Sequence, residues 1–270
     1  AAEQPTGGMG FFECINNKEA AFLLFDKCRE WLASKKMEAM DGPINFGERD
    51  RWWGCLVDGS YEPNYCMNYN PPYYQKLFEE YGFKLYFRQF TYFFKVNTKL
   101  PEKYAEKAER ISRNPLYSFR HLEKKKFDKY IDDFRYIYNK AWTKHQGFKP
   151  MSKEQAKSLM LKLKPVVDPD IVCYCYYDNE PVGFFIMMPE LNQIFKYVNG
   201  KLDLKGKLIF LWHKWRRTCR KMFGVAYGVI PEHQGKGLEG AIVQAAANHV
   251  IPLNRYDVFE MNWIGDFNPR

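Results

Sequence analysis

The feature that most constrains this chain lies near its C-terminal end: Val229-Ile230-Pro231-Glu232-His233-Gln234-Gly235-Lys236-Gly237-Leu238, set between two strongly patterned segments. Residues 222–230 form an apolar run of strand length. Residues 238–250 place Leu238, Ile242, Ala245 and His249 on one helical stripe. A strand that turns through glycines into a helix N-terminus is an anion site. Backbone N–H groups converge there, the helix dipole adds positive potential, and glycine lets a phosphate approach the main chain closely. Lys236 adds a charge. The turn lacks both the Gly-x-x-x-x-Gly-Lys-Ser/Thr phosphate loop and the dinucleotide Gly-x-Gly-x-x-Gly pattern.

Upstream, the pattern divides the chain into two units. In the first, residues 11–15 and 54–57 read as short strands, and 18–35 as an amphipathic helix that Asn16 or Asn17 caps. Asn70-Pro71-Pro72 opens a further helix that Gly82 ends, and 83–96 reads as a strand. The charged stretch 98–112 reads as the boundary, giving domains 1–100 and 112–270. The second unit reads as strand 117–122 and a helix with Phe127, Tyr130, Ile131, Phe134, Ile137 and Trp142 on one stripe. Next come a helix opened by the capping box Ser152-Lys153-Glu154-Gln155, a hairpin over 171–188 turning at Asp178-Asn179, and a helix near Leu208–Trp215. The strand, turn and helix above follow, and strand 258–264 ends the series. Strands interleaved with helices give an α/β (α+β) class with mixed sheets.

The chain has 270 residues, 46% hydrophobic and 18% aromatic, enough for real cores. Its formal charge of +9 favours polyanions: nucleic acid, anionic lipid or a phosphorylated cofactor. Lys124-Lys125-Lys126 is expected to be a solvated face. Arg216, Arg217, Arg220 and Lys221 are read either so or as a contact to a nucleotide phosphate. Seven scattered cysteines without a Cys-x-x-Cys pair point to reduced thiols in the cytoplasm and to no metal site. No run is long and apolar enough for a membrane helix, so no membrane insertion is expected. Ala1 in place of an initiator Met suggests a missing or processed start.

The turn resembles the Gln/Arg-x-x-Gly-x-Gly/Ala signature of the GNAT superfamily of acyl-CoA-dependent N-acyltransferases, with Gln234, Gly237 and position 239 filling it. Position 239 is Glu followed by Gly240, which departs from the pattern. The order of elements over residues 115–270 resembles the same fold, and Asn268 stands where the family often places an asparagine beside the pantetheine arm. Asn70 to Phe83 resembles the ending of that fold, so the chain is expected to hold two tandem copies. The N-terminal copy would be partial and without a CoA loop, the C-terminal copy truncated.

The resemblance implies acyl transfer, most simply from acetyl-CoA, to a primary amine by direct attack in a ternary complex. Val229, Ile230, Gln234, Gly235, Lys236, Gly237, Leu238, Gly240 and Asn268 would bind the CoA, and the strand amides ending near Val229 would polarise the carbonyl. Glu260 is the candidate base and Tyr227 a second candidate catalytic group; each is equally readable as a structural residue. Glu232 and His233 are expected at the surface. Trp52, Trp53, Tyr61, Tyr65, Tyr69, Trp142 and Trp263 either line an acceptor groove or serve as core and rim aromatics. The alternatives are a non-catalytic double-copy scaffold that binds CoA, and a nucleic-acid-binding protein. No reader motif supports the latter. The amine, the acyl length and the oligomeric state are not legible in the sequence.

Overall fold

The computed structural model describes residues 4–45, 54–99, 101–143 and 149–266. The chain forms two compact units, residues 1–90 with 263–270, and residues 91–262. Trp52, Trp53, Asn268 and Pro269 lie outside the described residues.

In the first unit, β1 (Thr6–Gly8) pairs in parallel with β2 (Ala39–Asp41). Helix α1 (Lys18–Ser34) starts at Asn17, whose side chain accepts the Ala20 amide, and α2 (Tyr73–Tyr81) ends at Gly82 with φ 112°. Phe12, Phe25, Tyr74 and Phe78 form the core. The Phe12 ring centroid lies 5.0 Å from Phe25, 4.8 Å from Tyr74 and 5.1 Å from Phe78.

The strands expected at 11–15 and 54–57 do not form. Phe11 sits at φ 54°, which breaks an extended run, and Cys14 is held by tyrosines instead of a ladder. Its N–H donates to Tyr74 Oη and its carbonyl accepts from Tyr73 Oη. Asn70 takes the backbone N–H and carbonyl of Leu56 in the same way, so it acts as a loop clamp. Among the described residues the sheet of this unit has the two strands β1 and β2.

The second unit is built on a six-stranded mixed sheet, with β3 (Gln89–Lys95), β4 (Tyr117–His121), β5 (Val172–Tyr177), β6 (Glu180–Pro189), β7 (Lys221–Val229) and β8 (Val258–Gly265) in the order β3-β8-β7-β6-β5-β4. Strands β4 to β7 are antiparallel, whereas β7 and β8 run parallel. The helices are α3 (Glu102–Ser112), α4 (Phe127–Ala141), α5 (Lys153–Leu163), α6 (Asn192–Phe195), α7 (Leu204–Trp215) and α8 (Leu238–Leu253). Ser152 and Gln155 form both halves of the expected capping box, and Asp178 and Asn179 turn the β5–β6 hairpin at φ 47° and 64°.

The expected linker at 98–112 is instead α3. Its charged residues conceal a narrow apolar stripe, on which Ala108 and Ile111 are buried. The boundary between units falls at Phe90/Thr91, and the segment before α3 adds the strand β3 to the sheet.

Helices approach both faces of the sheet where its residues are small. A Cβ on Gly183 would meet Ile242 of α8 at 2.7 Å, and one on Gly228 would meet Trp142, just past α4, at 2.7 Å. On the Gly228 face Phe184 stacks on Trp142 and lies tilted against Phe134. At the other end of α8, His249 stacks on His121 of β4 with ring centroids 3.8 Å apart, and its Nε2 lies 2.9 Å from Asp170.

Gly183→Val is expected to lower stability by about 1–3 kcal/mol through overpacking, read as a fall in Tm. Burial, aided by His249, lowers the His121 pKa from 6.5 to about 4. The unfolded chain therefore takes up this proton at higher pH than the folded one. The contribution is complete above about pH 6.5 and is lost as the pH falls towards 4. Tm should decline over that window, and His121→Phe should flatten the decline.

Candidate functional site

The candidate site begins where two strands part. The β7–β8 ladder runs from Lys221 opposite Val258 to Gly224 opposite Met261, and β7 then continues to Val229. At the same place Met187 and Ile186 of β6 face Gly224 and Ala226, leaving Val225 as a bulge. Successive strand amides point to opposite edges. The Ile230 amide donates to Val182 on the β6 side, so those of Val229 and Tyr227 face the open edge of β7.

From Val229 the chain enters the glycine turn. Ile230 is buried, and Gln234 folds back so that its Nε2 donates to the Val229 carbonyl at 2.7 Å. Gly235 and Gly237 take φ 72° and 97°, the left-handed region that permits the turn. Leu238 then starts α8 fully buried, and the first-turn amides have no partner within the helix. Lys236 is exposed beside them, and its carbonyl accepts from Arg110 of α3.

Two features modify a simple anion site. The Gly235 amide already donates to the Glu239 carboxylate at 3.0 Å, so the side chain that departs from the expected signature holds one of the amides a phosphate would use. The outer flank of the turn is also covered by α3. A Cβ on Gly237 would lie 2.9 Å from the Lys107 Cβ, and one on Gly240 would lie 3.4 Å from the Tyr104 carbonyl. These two glycines therefore serve helix packing as well as the turn.

Tyr227 brings the second chemical group. Its hydroxyl is buried and has no hydrogen-bond partner among the described residues. Burial, and then the nearby Glu239 carboxylate, push its pKa well up, so it stays protonated. An orphaned donor beside a glycine turn fits a site that receives a polar ligand atom.

Glu260 lies opposite Phe223, one step before the ladder ends, and pairs with Lys221 at 3.1 Å with both side chains largely buried. Glu232 is exposed. His233 is half-buried: its Nδ1 lies 2.7 Å from Tyr117 Oη, and burial and then Lys236 lower its pKa.

Arg110, Tyr117, Tyr177, His233 and Lys236 line a cleft of about 500 Å³ beside the turn. Arg110 and Tyr117 escaped the sequence reading because Arg110 sits in the stretch read as a linker and Tyr117 in a strand with no motif. Val229, Ile230, Gln234, Gly235, Lys236, Gly237, Leu238, Gly240 and Tyr227 thus come together, whereas Asn268 lies outside the described residues. No group of three metal-binding side chains occurs among the described residues. Gly235, Gly237, Lys236 and the first-turn amides of α8 bring donors and positive charge to one place, with the Gly235 amide bonded to Glu239.

No protein-family model matches the chain. It is 27% identical to the bacterial ceramide synthase of Caulobacter vibrioides (strain NA1000 / CB15N), over 98% of this chain and 71% of that protein. It is 23% identical to protein YghO of Escherichia coli (strain K12), over 97% of this chain and 68% of that one. Among solved structures, a GCN5-related N-acetyltransferase from Sphaerobacter thermophilus matches with TM-score 0.46 and 10% identity, over 93% of this chain and 61% of its own.

If Glu239 competes for the loop amide, Glu239→Gln should tighten CoA binding about tenfold by removing a charged acceptor, and Lys236→Ala should weaken it. Calorimetric titration checks both. Weaker binding in Glu239→Gln would mean that the carboxylate supports the turn and does not compete for it.

Proposed function

We propose that this chain is an acyl-CoA-dependent N-acyltransferase whose acceptor is a lipid-like amine. The observation that carries the reading is the junction of the open β7 edge, the Gly235–Gly237 turn and the α8 N-terminus. It aims backbone amides at one region beside the Tyr227 hydroxyl, which has no hydrogen-bond partner among the described residues. The similarity to a bacterial ceramide synthase over nearly the whole chain supports both the reaction and the acceptor class, since a ceramide is a fatty amide of a long-chain amino alcohol.

In this reading the pantetheine arm lies along the open edge of β7, and the diphosphate sits on the turn after displacing Glu239 from Gly235. The cleft with Arg110, His233 and Lys236 takes the remaining charge of the nucleotide. The amine nitrogen attacks the thioester carbonyl, the C–N bond forms, and the C–S bond breaks to release CoA. The Tyr227 and Val229 amides stabilise the oxyanion. Tyr227, whose raised pKa makes proton release unfavourable, donates a hydrogen bond and keeps its proton; the thiolate takes a proton from solvent. Glu260 accepts the proton that the amine gives up, with Lys221 fixing its position.

A second reading, a CoA-binding protein without turnover, is favoured by one observation, the Glu239 side chain that departs from the signature and already occupies the Gly235 amide.

Mass spectrometry of reactions with acetyl-, octanoyl- or palmitoyl-CoA and sphinganine, spermidine or a lysine peptide separates the readings. The proposal predicts amide product and amine-dependent thiol release, greatest with sphinganine. Glu260→Gln is expected to reduce the rate about a hundredfold and Tyr227→Phe by about ten- to a hundredfold. CoA binding without amide from any pair would leave the non-catalytic reading.

A further inference from the structure

Helix α7 sits in the segment that joins β6 to β7, and its two sides differ sharply. Its inner side is packed: Gly206 is buried, Phe210 stacks on Phe195 and His213 stacks on Tyr197. Its outer side carries Leu204, Leu208, Leu211, Trp212 and Trp215, which are between 52% and 77% exposed. At about 100° per residue these five side chains fall within one arc of about 100°. Such a face on a short helix is larger than scattered surface apolar residues explain.

The charges are arranged around that arc. Lys205 and Arg216 follow it on one side, and Lys207 and Lys214 on the other. Arg217 lies just past the helix, and Arg216 reaches over the Trp212 ring at 5.8 Å. The helix contains no Asp or Glu, and Asp203 before it is engaged as the cap, accepting the Gly206 amide. Lys214 donates to the Pro165 carbonyl, and Lys124 is near enough to add to the lowering of its pKa after burial. The Lys124–Lys126 turn thus extends the positive charge beyond α7.

We propose that α7 docks on the surface of an anionic lipid bilayer, with Leu204, Leu208, Leu211, Trp212 and Trp215 entering the headgroup and acyl boundary. The flanking cations meet lipid phosphates, and their aliphatic stems lie along the apolar arc. Charge selects this partner over a second copy of the chain. A symmetric pairing of two α7 faces would set Lys205, Lys207 and Arg216 of one copy against the same cations of the other, whereas an anionic surface complements them. The helix lies on the membrane and does not cross it; no helix among the described residues is long and apolar enough to span. This inference does not depend on the proposed reaction, because docking is read without turnover.

Flotation with vesicles of phosphatidylcholine containing about 30 mol% phosphatidylglycerol tests it, against phosphatidylcholine alone. The wild-type chain should float with the anionic vesicles and stay behind with the neutral ones. Two variants should each be bound about tenfold less with unchanged far-UV circular dichroism: L208Q/L211Q/W215Q, and K205E/K207E. All the altered side chains are exposed, so folding is not at stake. Wild-type protein left at the bottom of the gradient with anionic vesicles, or variants that float as well as wild type, would overturn the proposal. So would concentration-dependent self-association that the leucine and tryptophan changes abolish while vesicles stay unbound.

Discussion

Strands β7 and β8 share a parallel ladder only as far as Gly224 and Met261, and everything proposed for the site follows from that parting. A strand that keeps its neighbour on one edge and loses it on the other retains its geometry while presenting amides to a ligand. The Val225 bulge steepens the local twist at the same point, and the antiparallel ladder with β6 holds the free part of β7 in place. The strand then delivers the chain straight into the glycine turn, so the open edge and the α8 N-terminus belong to one continuous stretch of backbone. Gly183 and Gly228 let α8 and Trp142 press on the sheet from opposite faces just there, which limits the freedom of this stretch to relax.

Contacts within the fold hold the turn. Gln234 fills the Val229 carbonyl, Glu239 fills the Gly235 amide, and α3 covers the flank of Gly237 and Gly240. The Gly235 amide is exposed, so its bond to Glu239 exchanges water for a carboxylate oxygen and holds the side chain across the turn. In the proposed reading an incoming diphosphate displaces this contact by offering more acceptor atoms and more charge than one carboxylate oxygen.

The elements around the site were legible in the sequence wherever period and punctuation agreed. The stripe of α4, the capping box of α5, the Asp178-Asn179 turn and the strand–glycine–helix passage each had a local signal, and each forms. What escaped was set by distance. Helix α3 carries so many charges that Ala108 and Ile111 gave no visible stripe, and its partner α8 lies more than a hundred residues away. The strand β3 was visible as a strand, but not its place at the edge of the sheet of the second unit. Residues 11–15 had strand composition, yet Tyr73 and Tyr74 supply the bonds that a ladder would have supplied. At the site, Glu239 was visible as a departure from a signature, but its bond to Gly235 needed the turn geometry. The Lys221 partner of Glu260 needed the register of β7 and β8.

The central claim is that an acyl-CoA lies along the open β7 edge with its diphosphate on the turn. Hydrogen–deuterium exchange with and without desulfo-CoA reads that placement amide by amide. The account predicts slower exchange at Tyr227, Val229 and residues 235–240 when the ligand is present, with β4 and β5 unchanged. Protection confined to other segments, or none at saturating ligand, would contradict it.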